Sequence, residues 1–316
     1  MSILQYLSKL ELPSQHKRHV LITGCDTGFG NILARSLDKQ GVPVLAGCLT
    51  EQGAEKLKKE TSSRLKTLVI DVTNEQSIKK AVEFVQKNVP TGELWGLVNN
   101  AGIMPTYGPV EWTTMKEFEL TCRVNLFGTV AMTMAFLPML RASRGRLVNM
   151  CSVTSNCGYP GIANYVVSKA GVKMFTVSLR RELYNTGITT HTIEPGGFNT
   201  NITDKQRLMD IYCSGYLTAN QESRDFYGGD ISKYLLNGIN QTTKYVNTTP
   251  HTVADAMKHA LLAKYPNRSY LLGLDAHLFF RMLKLLPEWA ADMVIGWPKP
   301  FGKICPEFED FIKQTK

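Results

Sequence analysis

Short apolar runs alternate along this chain with stretches whose apolar positions recur every three or four residues. The runs at 18–23, 42–47, 66–70, 94–98, 145–150 and 188–193 predict strands. Between them, 29–40, 52–60, 74–88, 113–141 and 162–186 predict helices, the fourth stretch holding one helix or two. Such alternation gives a parallel sheet with right-handed crossovers and helices on both faces. The fold class expected is therefore α/β, a doubly wound parallel sheet. The rhythm stops at Pro195. Residues 201–247 carry Tyr, Leu, Met and polar residues without a clear strand, and a last strand is expected at 268–272. An irregular segment just beyond a strand's carboxyl end is where a lid over a ligand crevice lies. Residues 276–297 are apolar, interrupted by charge and broken by Pro287. With 201–247 they are expected to wall the crevice, burying Leu278, Phe279, Phe280, Met282 and Leu283; a membrane-interface foot and a subunit contact are the alternatives. The expected organisation is an N-terminal extension at 1–17, one domain at 18–275 and an apolar C-terminal cap extension at 276–316.

Two segments carry candidate chemistry. After the first strand, Gly24, Gly28 and Gly30 make a glycine-rich turn that runs into a helix. Backbone without side chains lets N–H groups approach an anion, and a helix N-terminus favours negative charge, so the turn suits a pyrophosphate. Its spacing, Gly-x3-Gly-x-Gly, differs from the general Gly-x-Gly-x2-Gly fingerprint. Further on, Tyr165 and Lys169 lie four apart in a helical stretch and share a face. A phenol with a reference pKa of about 10 is a poor base at neutral pH. A cation beside it stabilises the phenolate and lowers that value, so the pair can move a proton to or from a hydroxyl. An aromatic packed beneath a lysine stem would give the same spacing.

Three more strand ends keep this company. Residues 94–102 end in Asn-Asn-Ala-Gly, 145–152 end in Ser152, and 193–200 form Ile-Glu-Pro-Gly-Gly-Phe-Asn-Thr. In order, Thr-Gly-x3-Gly-x-Gly at 23–30, Asn-Asn-Ala-Gly at 99–102, a serine 13 residues before Tyr165, Tyr-x3-Lys at 165–169 and Pro-Gly-x3-Thr at 195–200 cover most of the chain. Together they resemble the short-chain dehydrogenases/reductases, over roughly residues 18–275. The first turn, the string Cys-Leu-Thr-Glu-Gln-Gly-Ala-Glu-Lys-Leu after the second strand and Arg-Arg-Glu-Leu-Tyr are most similar to the branch of retinol and hydroxysteroid dehydrogenases. D-3-hydroxybutyrate dehydrogenases share many of these strings and remain the alternative.

The resemblance implies a Rossmann-type fold and an oxidoreductase that interconverts a hydrophobic alcohol and its carbonyl by hydride transfer. A non-catalytic dinucleotide scaffold would have no use for four retained catalytic positions. By resemblance Tyr165 is the acid/base, Lys169 depresses its pKa and holds the nicotinamide ribose, and Ser152 steadies the reacting oxygen. Asn125 organises a water near the lysine; a structural hydrogen bond inside a helix is its rival role. The cofactor would lie on Gly24, Thr27, Gly28, Phe29 and Gly30, then Cys48, Asp71 and Val72, then Asn99, Ala101 and Gly102. Pro195, Gly196 and Thr200 would meet the nicotinamide, beside Tyr165 and Lys169. An acid at the end of the second strand commonly holds the ribose of NAD. Cys48 stands there, followed by Leu49 and Thr50, with no cation for a 2′-phosphate. The branch implies NAD rather than NADP. A hydroxy-acid enzyme would need a cation in the cleft, for which Arg144 and His191 are the candidates.

The bulk properties add limits. The formal charge of +9 comes from scattered lysines with no aromatic interleaving, which argues against nucleic acid and allows weak attraction to anionic lipid. Seven cysteines lack metal-ligand spacing, so no metal and no disulfide is expected. The first ten residues form neither an apolar span nor a basic signal peptide. The placement expected is intracellular, with peripheral contact to an endoplasmic reticulum or mitochondrial membrane. The expected partners are a small hydrophobic alcohol or ketone and further copies of the chain in a homo-oligomer.

Overall fold

A computed structural model describes residues 10–89, 91–245, 249–298 and 302–315. Residues 1–9 of the expected N-terminal extension, 246–247 of the expected lid, and 299–301 and 316 near the C-terminus lie outside the described residues. Among the described residues, seven strands form one parallel sheet in the order β3-β2-β1-β4-β5-β6-β7. They are β1 (Val20–Thr23), β2 (Val44–Cys48), β3 (Leu65–Val69), β4 (Gly96–Asn99), β5 (Arg146–Met150), β6 (Thr189–Pro195) and β7 (Ser269–Leu272). The switch from leftward to rightward progression falls between β1 and β4. Connections there depart in opposite directions and leave a crevice at the strand carboxyl ends.

Strand parity builds the two cores. Side chains alternate faces along a strand, so Val20 and Ile22 join one apolar layer while Leu21 joins the other. On the first face lie α1 (Gly28–Lys39) and α2 (Glu51–Lys59), through Leu33, Leu37, Ala54 and Leu57. The second face packs α3 (Glu75–Asn88), the long helical stretch that begins as α4 (Met115–Cys122) and ends as α5 (Gly128–Ser143), and α6 (Ala163–Glu182). Its core includes Ile78, Val85, Met132, Phe136, Leu140 and Leu179. The stretch from 113 to 141 does hold two helices, joined without a break by a π turn at Arg123–Phe127. Met115–Ser143 is long and apolar enough to cross a membrane by length and composition, yet it serves here as a sheet-covering helix.

The structure corrects the reading after Pro195. Residues 205–245 are helical, not irregular: α7 (Lys205–Thr218), α8 (Gln221–Phe226) and α9 (Gly229–Tyr245). Asp204 and Asn220 cap the first two, accepting from Arg207 N–H at 2.9 Å and Ser223 N–H at 2.8 Å. A further helix, α10 (His251–Leu262), was not anticipated. Its spacing of Val253, Met257, Ala260 and Leu261 was the available signal, and all four are fully buried on the first sheet face. Two clasps fix its end: Trp95 Nε1 donates to Leu261 O at 2.9 Å, and Arg146 Nη1 to Ala260 O at 2.8 Å. Leu12 N–H donates to Leu262 O, which ties the described part of the N-terminal extension to the same place.

A third apolar cluster stands beyond the strand carboxyl ends. Trp112, Leu208, Met209, Tyr212, Ile231, Leu235 and Phe308 form its buried body. Tyr212 stacks on Phe308 of α13 (Pro306–Thr315) with ring centroids 4.0 Å apart. Between β7 and α13 come a π turn (Ala276–Phe280), α11 (Arg281–Leu283) and α12 (Glu288–Ile295). The expected burial of this stretch holds only in part. Ala276 and Leu283 are buried, whereas Leu278 and Met282 are 69% and 57% exposed. Phe280 touches Tyr159, and Trp297 packs edge-on against Tyr227, so one side of the segment meets the third cluster while the other faces outward.

The role given to α10 can be tested directly. Met257→Ala should lower unfolding free energy by about 2–5 kcal/mol, the usual cost of emptying a packed site. Urea denaturation would measure it, and an unchanged midpoint would remove α10 from the core.

Candidate active site

The glycine turn is shaped by its neighbour across the crevice. Gly24 has φ +71, and a Cβ there would stand 2.9 Å from Ala101 Cα. Gly30 has no room for a side chain, because Gly24 O and Asn100 Nδ2 occupy that space. Asn100 Nδ2 donates to Thr23 O and Gly24 O at 3.0 and 3.1 Å. Thr23 Oγ1 answers by accepting from the N–H groups of Asn100 and Ala101, both at 3.1 Å. The turn after β1 and the segment after β4 are thus one braced unit. Thr27 occupies the N-cap of α1 without a side-chain capping bond, so the first amides of α1 lack that partner. Phe29 packs edge-on to Phe198, and Asn201 Nδ2 reaches Thr27 Oγ1 at 3.3 Å. Gly28 and Phe29 therefore lie between the crevice and the segment after β6.

Not every nominated residue faces this crevice. Cys48 is fully buried on the face of Val44 and Ala46, and burial pushes its thiol up to about 12, with the charge of Asp26 adding to the effect. Its side chain belongs to the core and is turned away from the crevice. Asn99 is also turned inward, donating to Thr133 Oγ1 at 3.0 Å and Asn149 Oδ1 at 2.9 Å. The side chain that meets the glycine turn is Asn100, which the sequence reading passed over. Asp71 turns one carboxylate oxygen onto Thr73 N–H and hydroxyl, at 2.8 and 2.7 Å, beside the buried Val72. The α3 cap is Asn74.

The four catalytic candidates come together at the carboxyl ends of β4 and β5. Lys169 Nζ lies 5.7 Å from the Tyr165 ring centroid and donates to Met150 O at 2.9 Å. A Cβ on Gly102 would stand 3.3 Å from both Lys169 Nζ and Asn125 Oδ1. Asn125 sits in the π turn, accepts from Ile103 N–H at 2.8 Å and donates to Ile103 O at 2.9 Å and Ser168 Oγ at 3.0 Å. π turns within helices gather at functional sites. Ser152 Oγ accepts from Thr154 N–H and hydroxyl at 3.2 and 3.0 Å, and the serine is near enough to the Tyr165 phenol to act to lower its pKa.

The electrostatics differ from the simple picture. Burial pushes the Tyr165 phenol up to about 12, against the lowering effect of Ser152. Burial likewise pushes Lys169 down to about 8. The lysine alone does not bring the phenol toward neutrality; desolvation wins.

A buried carboxylate holds these elements together. Glu194 Oε2 accepts from Lys173 Nζ and Asn156 Nδ2, both at 2.8 Å, and Oε1 accepts from Ser269 and Thr192 hydroxyls, also at 2.8 Å. Lys173 also donates to Asn156 Oδ1. Lys173 is one helical turn past Lys169, and Asn156 follows the Ser152 loop. Desolvation would raise Glu194, but the bonds from Lys173, Asn156 and Ser269, with the lysine's charge, leave it below its usual value. Next along the chain, the Asp275 carboxylate crowds Gly196 and accepts from Gly197 N–H at 2.7 Å, so the turn after Pro195 is pinned short of Thr200. The cations considered for a carboxylate substrate are elsewhere. Arg144 caps α5 before the amino end of β5. His191 is buried against Asn267 O, and burial lowers it to about 4. All seven cysteines are free thiols.

A doubly wound parallel sheet with a glycine turn at its switch point defines a protein of the dinucleotide-fold class. Residues 18–210 match the family model described as short chain dehydrogenase. The chain is 42% identical to retinol dehydrogenase 7 of Rattus norvegicus over 280 residues, covering 89% of this chain and 88% of the relative. It is 42% identical to 17-beta-hydroxysteroid dehydrogenase type 6 of Bos taurus, with 90% of each covered. A short-chain dehydrogenase structure from Streptomyces avermitilis superposes with a TM-score of 0.70 at 23% identity, covering 95% of this chain and 99% of that one. The chain belongs to the short-chain dehydrogenase/reductase family and is an oxidoreductase.

The Glu194 network makes a stability prediction. Because the folded-state pKa is depressed, its contribution is complete above about pH 4.5 and is lost as pH falls through the folded value. Glu194→Gln should cost up to about 3 kcal/mol, the low end for breaking a buried pair, since Lys173 keeps some contact with water. Denaturation at several pH values should also show a flatter acid limb in the variant. An acid limb as steep as the wild type's would place that titration elsewhere.

Proposed function

We propose that this chain is a nicotinamide-dependent dehydrogenase acting on a hydrophobic secondary or allylic alcohol, of retinol or hydroxysteroid type, and reducing the matching carbonyl in reverse. The observation that carries this reading is the meeting of Lys169, Asn125 and Gly102 beside the Ser152–Tyr165 pair, at the same crevice as the braced glycine turn. The names of the relatives point to the same substrate class. Among more distant neighbours, one structure is a 3-ketoacyl-(acyl-carrier-protein) reductase complexed with NADH and another a serine dehydrogenase complexed with NADP+.

Each residue then has a task. Tyr165 exchanges the hydroxyl proton, and Ser152 donates to the reacting oxygen and steadies its developing charge. The bound nicotinamide supplies the hydride exchange and, when oxidised, a positive charge. Lys169 holds the ribose and, with that charge, lowers the phenol that burial raises. Asn125 fixes the Ile103 peptide and, through a water, completes a proton path from Lys169. Gly24, Gly28, Gly30 and the first turn of α1 hold the pyrophosphate; Ala101 and Gly102 flank the adenosine side, Asp71 and Val72 the adenine, and Pro195, Gly196 and Thr200 the nicotinamide amide.

The substrate side favours an apolar ligand. Met104, Ile162 and Leu235 belong to the third cluster, with Tyr107, Tyr159 and Tyr165 packed against it. Neither Arg144 nor His191 lies at this end, which weighs against D-3-hydroxybutyrate. The outward face of 274–294 supports a second property, peripheral membrane contact of an intracellular enzyme. Leu274, Leu278, Met282, Leu285, Trp289 and Met293 are each more than half exposed. Arg281 and Lys284 are exposed among them, as are Glu288 and Asp292. Large exposed apolar patches mark interaction surfaces, and an apolar stretch carrying charges of both signs suits a membrane interface.

Tyr165→Phe should keep nucleotide affinity and lose roughly 10²–10⁴-fold in turnover, the usual contribution of a positioned acid/base. Lys169→Ala should lose both turnover and affinity. Steady-state assays with NAD, NADP, retinol, hydroxysteroids and hydroxybutyrate would measure this, with nucleotide titrations alongside. A Tyr165→Phe enzyme of undiminished turnover would sink the assignment.

For the membrane property, the triple change Leu278→Ser, Met282→Ser and Leu285→Ser should abolish co-flotation with anionic phospholipid vesicles, since each side chain is worth about 1.5–3 kcal/mol when buried. Point changes are preferable to truncation before Ala276, which would also remove Phe308 from the third cluster. Equal flotation of wild type and variant would exclude this face.

A further inference from the structure

We propose that Asp26, a residue of the glycine turn, selects the nucleotide: it sets a fixed carboxylate at the end of β2 that favours NAD over NADP. This rests on the dinucleotide reading above.

The charge normally expected at the end of the second strand is missing from that strand, where Cys48 is buried in the core. It arrives from 22 residues earlier in the chain. Asp26 Oδ2 accepts from Leu49 N–H at 2.7 Å, while Oδ1 accepts from Thr50 N–H at 3.0 Å and the Thr50 hydroxyl at 2.7 Å. The Thr50 hydroxyl in turn caps α2, accepting from Gly53 N–H at 3.0 Å. Gly53 is the counterpart of this arrangement, because a Cβ there would run into the Asp26 carboxylate. Three donors from two residues fix the carboxylate against the loop that follows β2.

That location is where an acid commonly receives ribose hydroxyls. Each carboxylate oxygen accepts about two hydrogen bonds, and Leu49 N–H takes one position on Oδ2. A ribose 2′-hydroxyl can donate to the other. A 2′-phosphate brings only acceptors and negative charge to the same place. From Gly47 to Gln52 no lysine or arginine offsets this, and Glu51 adds a second acid. The two neighbouring thiols feel the carboxylate: burial raises both Cys25 and Cys48, and the charge of Asp26 raises them further.

The test is calorimetric titration of 5′-AMP, adenosine 2′,5′-bisphosphate, NAD and NADP into wild type, Asp26→Asn and Asp26→Ser. Wild type should bind each ligand lacking the 2′-phosphate at least tenfold more tightly than its phosphorylated counterpart. In the variants that ratio should fall at least tenfold, whatever happens to the absolute affinities. Wild type carries an independent measurement should the variants fail to fold. Raising salt from about 0.01 to about 1 M shortens the screening length from about 30 to about 3 Å, so a charge-based ratio should shrink. A ratio unchanged in the variants, or insensitive to salt, overturns the role of Asp26 and leaves the dehydrogenase reading standing. Tighter binding of NADP by wild type overturns it together with the NAD preference. Failure to bind any of the four ligands overturns the dinucleotide reading itself.

Discussion

The Glu194 carboxylate is the contact on which the candidate catalytic end of the molecule depends. It lies buried on β6 and receives hydrogen bonds from α6, from the loop after β5 and from β7. Those are the segments that carry or adjoin Tyr165, Lys169 and Ser152. The alignment along α6 is regular: Tyr165, Lys169 and Lys173 are spaced four apart, so one helix face delivers two candidate chemical groups and then the lysine that anchors them. A carboxylate is suited to this position because it accepts several bonds at once from different directions. An apolar residue there would leave Lys173 and Asn156 without their common partner.

The sheet was legible because parallel strands covered on both faces read as apolar runs. The five motifs were legible because they are local. Where the reading failed, strand parity was the missing argument. Cys48 follows Val44 and Ala46 on one face of β2, so it had to enter the core they form. Asn99 shares the face of Leu97 and therefore points toward α5, while Asn100, past the end of β4, is free to turn to the glycine loop. Asp26 was hidden for another reason. Its partners are 23 and 24 residues away, and nothing local marks a side chain that bridges two strand ends.

The helices after Pro195 were hidden because their apolar positions come in doublets. Leu208 with Met209, and Tyr212 with Cys213, give a buried stripe of short extent. Tyr212 finds its partners in the rings of Trp112 and Phe308, far away along the chain. This lobe has no sheet to template it; its own rings organise it. The segment from 274 to 294 could be judged apolar from sequence but not which way it faced. Only the side that meets Tyr159 and Tyr227 is covered.

Asn125 has a consequence beyond the catalytic cluster. Its side-chain amide accepts from the N–H and donates to the C=O of the same residue, Ile103. That reciprocal pair is what a neighbouring strand offers, supplied by one side chain. β4 is in effect prolonged past its last backbone partner, with a single amide standing in for the missing strand. The chain leaving the sheet there is held at both polar groups of one peptide residue by a single side chain, a task that otherwise takes a whole strand.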